Sequence, residues 1–437
     1  MTACYLVFAA FAAALGLFSG QPIERCWGTW AAAGYIAAAV ILTVARRRAA
    51  RSPATAAAHL VALACAVAAP LAWQAWAGLP SRVGEGSLTV VADAGSLLLR
   101  HGTPYLPAGS LTRVLAYDPY EPLMAVFGLP HAAAEGDGGV MAGWGGDPRL
   151  WLLLAGTAGI YLAFRIPCAR TDAGAAGRAR GRALRDTAFA LASPVISLQV
   201  ATGGTDVPVI ALLCLSLALA ANAPRGAAVT TGIACALKAT AWPAFPVLAA
   251  MLAARQDSRK AAWFAVIATL TSVAAMAASA PAALHAPGAA LQNAILFPLG
   301  LTRHRTPAAS PLPGHLLATA GPAGRWAAFA LLAAALLAFA WWLAARPPRG
   351  TRAAAMRLAT GLAVAFTLAP ASRWGYYAYT LALLGWCALT GPRRDCSYSS
   401  ERAVLTPAES PSAASWPAVS SSSSSAGSSA SSSAADA

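Results

Sequence analysis

Charged side chains are scarce in this 437-residue chain, which has only 16 acidic residues against 31 lysines and arginines. Charged residues make up 11% of the sequence and apolar residues 58%, and the mean hydropathy is +0.57. A soluble domain of this length needs more polar surface than such a composition supplies. The composition therefore excludes a soluble globular protein and indicates a polytopic membrane protein.

The sequence also lacks the short motifs by which many enzymes hold metals and nucleotides. It has no Asp-x-Asp pair and no glycine-rich phosphate loop, which argues against a nucleotide-sugar donor held by a metal ion. Its eight cysteines are scattered without a Cys-x-x-Cys pair, so neither a disulfide framework nor a zinc site is indicated. We expect no metal and no cofactor.

Long apolar runs are what the sequence has instead. A helix needs about 20 apolar residues to cross a membrane, and in lipid only a helix satisfies its own backbone. The pattern predicts an all-α bundle of about 10 to 12 transmembrane segments within residues 1–395. The runs are 3–19, 28–45, 56–77, 149–166, 186–201, 206–223, 226–253, 261–283, 323–345, 354–370 and 374–391.

Arginine clusters predict the topology, because cytoplasmic loops carry an excess of basic residues. The clusters lie at 46–51, 170–185, 255–260, 346–357 and 393–394. This pattern places both termini in the cytoplasm and the segments 78–148 and 284–322 outside a plasma membrane. Residues 396–437, rich in serine and alanine, form a predicted disordered cytoplasmic tail.

The run 226–253 conflicts with this topology if it crosses the membrane once, because Arg225 and the cluster at 255–260 would then lie on opposite sides. Lys238 stands near the middle of the run, and Pro243 and Pro246 follow it. A charge at that depth beside helix-breaking prolines favours two half-helices that enter and return, with the break lining a polar cavity. A single kinked span is the alternative.

Two predicted exterior segments are longer than the topology needs. The segment 78–148 carries a large share of the acids, and the apolar stretch after Glu121 either lies flat at the membrane interface or is a loop packed on the bundle. The segment 284–322 carries Arg303, His304 and Arg305 on the side where cations are normally rare. These cations indicate an anionic, phosphate-linked substrate.

Two further outer-side residues have open interpretations. Asp206 either points into a cavity or caps the helix that follows it. Arg373 either binds phosphate or simply precedes the aromatic residues of an interface belt.

Several stretches, taken in order, resemble the GT-C glycosyltransferases of family 87, relatives of polyprenyl-phosphate-mannose-dependent mannosyltransferases. They cover roughly residues 85–390. The stretches are ADAGSLLLRHGTPY (92–105), YDPYEPLMAVFGLP (117–130), GGTDVPVIALLCLSLALA (203–220), ALKATAWPA (236–244), FPLGLTRHRTPAASPLPGHLLA (297–318) and APASRWGYYAYTL (369–381).

The resemblance implies transfer of a hexosyl residue, expected to be mannosyl, from a polyprenyl-phosphate sugar to a glycolipid or polysaccharide on the outer face, with no nucleic acid involved. Asp93 stands in the position of the family's catalytic base, which would deprotonate the acceptor for an inverting single displacement. Side chains expected to bind the substrate and its phosphate are Arg303, Arg305, His304, Lys238, Arg373, His101, Tyr105 and Tyr117.

Alternatives remain for the catalytic base and for the function of the whole protein. His101 and Asp118 compete with Asp93 as the base, and Asp93 also fits the N-terminal cap of the helix that follows it. The family's acid commonly follows the first span, whereas two additional spans precede Asp93. The rival functions are a lipid-linked-sugar flippase, which a broken helix and exterior cations would also serve, and a non-catalytic scaffold.

Overall fold

A computed structural model shows the chain as a helical protein and describes residues 1–47, 51–76, 86–134, 145–166 and 173–391. In these ranges the α-helices are joined by 3₁₀ and π-helical turns. The β pairing in these ranges consists of one isolated parallel bridge, between Ala309 and Ser372. The predicted all-α class is confirmed.

In the described ranges up to residue 202 the chain forms nine α-helices. A π-helical segment, Ala64–Ala68, joins α3 to α4 without a break. The bounds are α1 Thr2–Phe18, α2 Pro22–Arg47, α3 Arg51–Leu63, α4 Ala69–Trp76, α5 Gly86–His101, α6 Leu129–Ala134, α7 Pro148–Arg165, α8 Ala173–Ala192 and α9 Pro194–Thr202.

The described residues 207–391 form nine further α-helices, which include the broken run and the last predicted spans. Their bounds are α10 Val207–Ala220, α11 Pro224–Leu237, α12 Ala244–Arg255, α13 Ser258–Ser279, α14 Pro287–Ala290, α15 Pro313–Thr319, α16 Pro322–Ala345, α17 Thr351–Leu368 and α18 Tyr377–Thr390.

Four stretches of helix in the described ranges are long and apolar enough to cross a membrane: α2, Ala54–Gln74 within α3 and α4, α13, and α16. Shorter apolar helices are Thr2–Phe18, Pro122–Ala134 and Val207–Ala220. Only 11% of the apolar window of α16 is buried. A helix this apolar and this exposed is stable only against lipid, so the protein is a membrane protein. The figure of 10 to 12 crossings stays a prediction.

The run 226–253 is broken as the prolines and Lys238 predict. α11 ends at Leu237, and Lys238 has an extended backbone (φ −161°, ψ 136°) before a 3₁₀ turn and α12. The Nε2 amide of Gln256, just after α12, donates to the carbonyl of Ala221, just before α11, at 3.2 Å. The chain therefore returns to the end at which it started, and the run is a hairpin rather than a single kinked span.

One sequence expectation about element boundaries is wrong. The run 186–201 is not one helix: α8 already begins at Ala173, and the helix is interrupted at Ser193 because Pro194 starts α9.

The stretch after Glu121 forms a 3₁₀ helix, Pro122–Gly128, whose Met124 is fully buried in the main core. The segment therefore packs on the helical bundle, and its position at a membrane interface stays a prediction.

Close backbone contact holds this 3₁₀ helix against α5. A Cβ atom added to Gly95 would collide with the backbone of Gly128. The absence of a side chain at Gly95 therefore allows the segment after Glu121 to pack directly on α5. The predicted tail at 396–437 lies outside the described residues.

Candidate active site

A cavity of about 520 Å³ lies where the helix break, the turn before α10 and the start of α18 meet. Its polar lining includes Asp206, Lys238, Thr240, Gln199 and Arg373. Among the described residues that line it, Asp206 is the one carboxylate. The cavity therefore combines cations with a single acid at the break between α11 and α12.

Asp206 and Lys238 form a buried ion pair at this cavity. The Lys238 ammonium donates to Asp206 Oδ1, and its distance to Thr205 Oγ1 is 3.5 Å. Only 5% of Asp206 and 7% of Lys238 are exposed. Burying a charge is costly without an opposite charge and hydrogen bonds, so in this arrangement each of these side chains stabilises the charge of the other.

Hydroxyl groups extend the ion pair into a network. Tyr379 Oη donates to Asp206 Oδ1 at 2.7 Å, and Thr240 Oγ1 donates to Tyr379 Oη at 2.8 Å. Asp206 lies at the N-cap of α10, but its side chain makes no capping bond. Capping therefore does not explain the side chain of Asp206, and the interpretation that it points to the cavity holds.

Two aromatic rings flank the Lys238 ammonium. Its nitrogen lies 5.1 Å from the ring centre of Tyr120 and 5.5 Å from that of Tyr376, both within the range of cation–π attraction. These rings also line the cavity. The faces of these rings carry partial negative charge, so they attract the ammonium without holding it in one orientation.

Part of the cavity wall is apolar. It includes Leu332 and Leu336 of α16, and Leu362 and Phe366 of α17. Because α16 is the most exposed of the four candidate spans, this wall connects the charged centre with the lipid-facing side of the protein. A ligand that fills the cavity would have an anionic end and a hydrocarbon part.

Three of the predicted site residues line the cavity: Lys238, Arg373 and Tyr117. The ring of Tyr117 stacks on Phe297 with centres 4.4 Å apart. Arg373 follows Ser372, whose backbone pairs with residues 308–310 of the second predicted exterior segment. The structure thus brings together residues from three distant stretches of sequence.

The basic group at 303–305 lies beside the cavity rather than in its lining. Arg303 and Arg305 are exposed, and the segment reaches the cavity at Thr306. The ring of His304 lies 6.1 Å from that of Tyr117, centre to centre. These side chains therefore lie at the edge of the site.

The remaining predicted residues lie outside the cavity lining. Asp93 and His101 are exposed on α5, and Tyr105 is buried with its hydroxyl donating to the carbonyl of Tyr120 at 2.8 Å. Because α5 is already helical from Gly86, Asp93 is an interior helical residue. The interpretation of Asp93 as an N-terminal cap is wrong.

Asp118 and Glu121 form part of the support beneath the cavity. Asp118 Oδ1 accepts from the Tyr120 amide at 3.1 Å, and the Asp118 amide donates to Asn293 Oδ1 at 3.0 Å. Burial raises the pKa of Asp118 well above its ordinary value and raises the pKa of Glu121 to about 7. Asp118 fixes a turn of the segment between α5 and α6, which places Tyr120 at the cavity.

The comparison with protein families decides the class of this site. Residues 119–370 match the model of glycosyltransferase family 87, which is more than half of the chain. The chain belongs to glycosyltransferase family 87. Comparisons with curated proteins and with solved structures give no match.

The family match includes the core of the candidate site. It covers Tyr120, Asp206, Lys238 and the group at 303–305, whereas Asp93 and Arg373 lie outside the matched range. This glycosyltransferase therefore has the buried ion pair inside its family domain. In the described residues, no three His, Cys, Asp or Glu side chains come together as a metal site requires.

Sequence reasoning left Asp206 undecided and missed Tyr379. A signal for the ion pair was available: Asp206 and Lys238 lie equally far along the chain from the turn between α10 and α11. In an antiparallel helical hairpin such residues are neighbours. Tyr379 had no comparable signal, because α18 joins the site only through tertiary packing.

Proposed function

We propose that this glycosyltransferase moves a hexosyl residue, mannosyl in the first instance, from a polyprenyl-phosphate sugar to an acceptor on the outer face of the membrane. The cavity supports this donor class because Lys238 and Arg373 share it with Leu332 and Leu336 of the lipid-facing helix α16. A lipid phosphate has the same two parts, an anion and a hydrocarbon chain.

The proposed chemistry is a single displacement with inversion. The acceptor oxygen forms a bond to the anomeric carbon as the bond from that carbon to the phosphate oxygen breaks. The phosphate leaves with the electron pair, and Lys238 and Arg373 stabilise its charge. A carboxylate takes the proton of the acceptor hydroxyl.

Asp93 remains the proposed proton acceptor on the resemblance alone. It lies on α5, and the first turns of this helix present Ser87 and Val90 to the cavity. Asp206 is the natural comparison because it lines the cavity itself. Replacing Asp93 in a transfer assay tests its assignment as the base.

The first test follows radiolabelled mannose from polyprenyl-phosphate mannose into glycolipid. Membranes would contain wild type, Asp93→Asn, Lys238→Met or Lys260→Met, and the last is a matched control because Lys260 is exposed and does not line the cavity. We expect wild type and Lys260→Met to transfer label and Lys238→Met to lose at least about 90% of the rate.

The outcomes separate the competing hypotheses. Loss of transfer in Asp93→Asn with donor binding retained supports Asp93 as the base, and full transfer excludes it. Transfer by Lys238→Met at the wild-type rate contradicts the proposed phosphate site. Movement of labelled donor across the membrane without any transfer supports the flippase instead.

A further inference from the structure

We propose that Lys238 changes partners during each catalytic cycle: it pairs with Asp206 in the empty site and with the donor phosphate in the loaded site, and Asp206 thereby promotes release of the polyprenyl-phosphate product. This rests on the proposed function, because it needs a lipid phosphate as the ligand. In this scheme Asp206 competes with the phosphate rather than acting only as a support for Lys238.

Lys238 is placed so that it can leave Asp206. It extends from the break between α11 and α12 and lines the cavity. Its remaining contacts are weak ones: Thr205 Oγ1 at 3.5 Å and the Tyr120 and Tyr376 rings at 5.1 and 5.5 Å. Both rings attract the ammonium in any orientation, so they stabilise it as it turns from the carboxylate toward the cavity.

Asp206 is placed so that its charge remains stabilised when Lys238 leaves. Tyr379 Oη still donates to it, and Thr240 orients Tyr379. Asp206 also lies at the N-terminus of α10, where the helix dipole favours a negative charge. A buried carboxylate with these partners tolerates the loss of its cation far better than an isolated one.

The competition sets the affinity for phosphate. A phosphate that enters the cavity gains Lys238 only at the expense of the Asp206 pair, so the observed affinity reflects the difference between two ion pairs. After transfer, the return of Lys238 to Asp206 favours departure of the product. Without the carboxylate, Lys238 would hold both donor and product more tightly, and turnover would slow at product release.

The test measures binding of farnesyl phosphate to the purified full-length protein in detergent, together with steady-state transfer. Asp206→Asn is expected to bind farnesyl phosphate on the order of tenfold more tightly than wild type, with a lower KM for the donor and a lower kcat. Inorganic phosphate as a second probe shows how much of this change belongs to the anion alone. The matched control is Asp257→Asn, because Asp257 is an exposed N-cap of α13 outside the cavity lining.

Weaker binding in Asp206→Asn would show that Asp206 is only a fixed support for Lys238. If Asp206→Asn weakens farnesyl phosphate binding as Lys238→Met does, Asp206 only positions Lys238 and partner exchange is wrong. Tyr379→Phe provides a second test if Asp206→Asn fails to fold. Loss of the Tyr379 hydrogen bond makes Asp206 more dependent on Lys238, so we expect a higher donor KM without a fall in kcat, whereas a fall in kcat contradicts exchange.

Failure of the proposed function gives a different pattern. If wild type binds farnesyl phosphate but transfers no sugar, the proposed transfer reaction fails. The binding results for Asp206→Asn still decide the exchange of partners.

Discussion

The buried pair of Lys238 and Asp206 carries a cost that a stability measurement can reveal. Lys238→Met leaves the carboxylate without its cation, and breaking a buried pair from one side costs about 3–5 kcal/mol. Because Tyr379 still donates to Asp206, we expect a loss of stability in detergent at the low end of this range. The double variant Asp206→Asn/Lys238→Met has neither charge, so it is expected to recover at least about half of that loss.

The prediction is decided by comparing the loss of stability in the double variant with the sum of the losses in the two single variants. Additive losses in the double variant would show that the two side chains do not stabilise one another in the folded protein. Lys260→Met supplies the baseline for removing an exposed ammonium, and it is expected to change the free energy of unfolding by less than about 0.5 kcal/mol.

Glu121 gives a prediction about pH. Burial raises the pKa of Glu121 from its ordinary 4.5 to about 7. The folded protein therefore binds more protons than the unfolded chain between pH 4.5 and 7, and stability falls as the pH rises through this window. The loss is complete above pH 7, on the order of 3 kcal/mol. Glu121→Gln is expected to exceed wild type in thermal stability at pH 8 and to match it near pH 4.5.

Neighbouring Asp118 takes part in this comparison, because the charge of Glu121 helps to raise the pKa of Asp118. Glu121→Gln removes that repulsion as well as its own titration, so the difference between the two curves contains both effects and has the same sign for each. Parallel curves for the two proteins between pH 4.5 and 8 would contradict the raised pKa of Glu121.

Single residues differ in how far the sequence predicts them. Lys238 stands out because a cation inside an apolar run needs a partner or a cavity, and the structure gives it both. Asp206 is ambiguous in sequence because a helix N-terminus accepts an aspartate for capping as readily as for binding. The alternative that Asp93 caps a helix is wrong because the helix begins earlier than its leucine-rich half suggests.

At the scale of elements, the contact between α5 and the 3₁₀ helix Pro122–Gly128 is testable through Gly95. A methyl group there meets backbone that has no room to move, and overpacking of this kind costs about 1–3 kcal/mol. Gly95→Ala is expected to lower thermal stability and the rate of transfer together, because the same contact positions Tyr120. The control is Gly109→Ala, since Gly109 has open space around it.

A small effect of Gly95→Ala would be informative. Stability equal to that of Gly109→Ala would show that the two segments separate easily, and the tight packing of the segment after Glu121 on α5 would be wrong. Reduced transfer with unchanged stability would show that the contact matters for placing Tyr120 rather than for folding.

Elements with strong local signals are predicted well, and those determined by packing are not. Two prolines and a lysine predict the break between α11 and α12 because each one opposes a continuous apolar helix. The division of 186–201 at Pro194 carries the same proline signal but lies between apolar residues, which periodicity alone reads as one run. The fold of residues 117–128 depends on Asn293 and Gly95, and neither is near it in sequence.

At the scale of the whole molecule, the orientation of α10, α11 and α12 decides on which side of the membrane the site acts. Asp206, Lys238 and Tyr379 meet at one end of α10 and α11, and Ala221 and Gln256 meet at the other. The distribution of arginines assigns the second end to the cytoplasm. A donor with its phosphate at the first end would then be used on the outer face.

Cysteine labelling tests both the hairpin and its orientation. In a variant without the native cysteines, Arg225→Cys, Arg255→Cys and Trp374→Cys would be exposed one at a time to a membrane-impermeant maleimide. In intact cells we expect labelling of Trp374→Cys alone, because Trp374 is exposed near the cavity. Both arginine positions should react only after the membrane is opened, because the hairpin returns them to one side. Opposite behaviour of the two arginine positions would exclude the hairpin, and full reversal of the pattern would place the cavity on the cytoplasmic face.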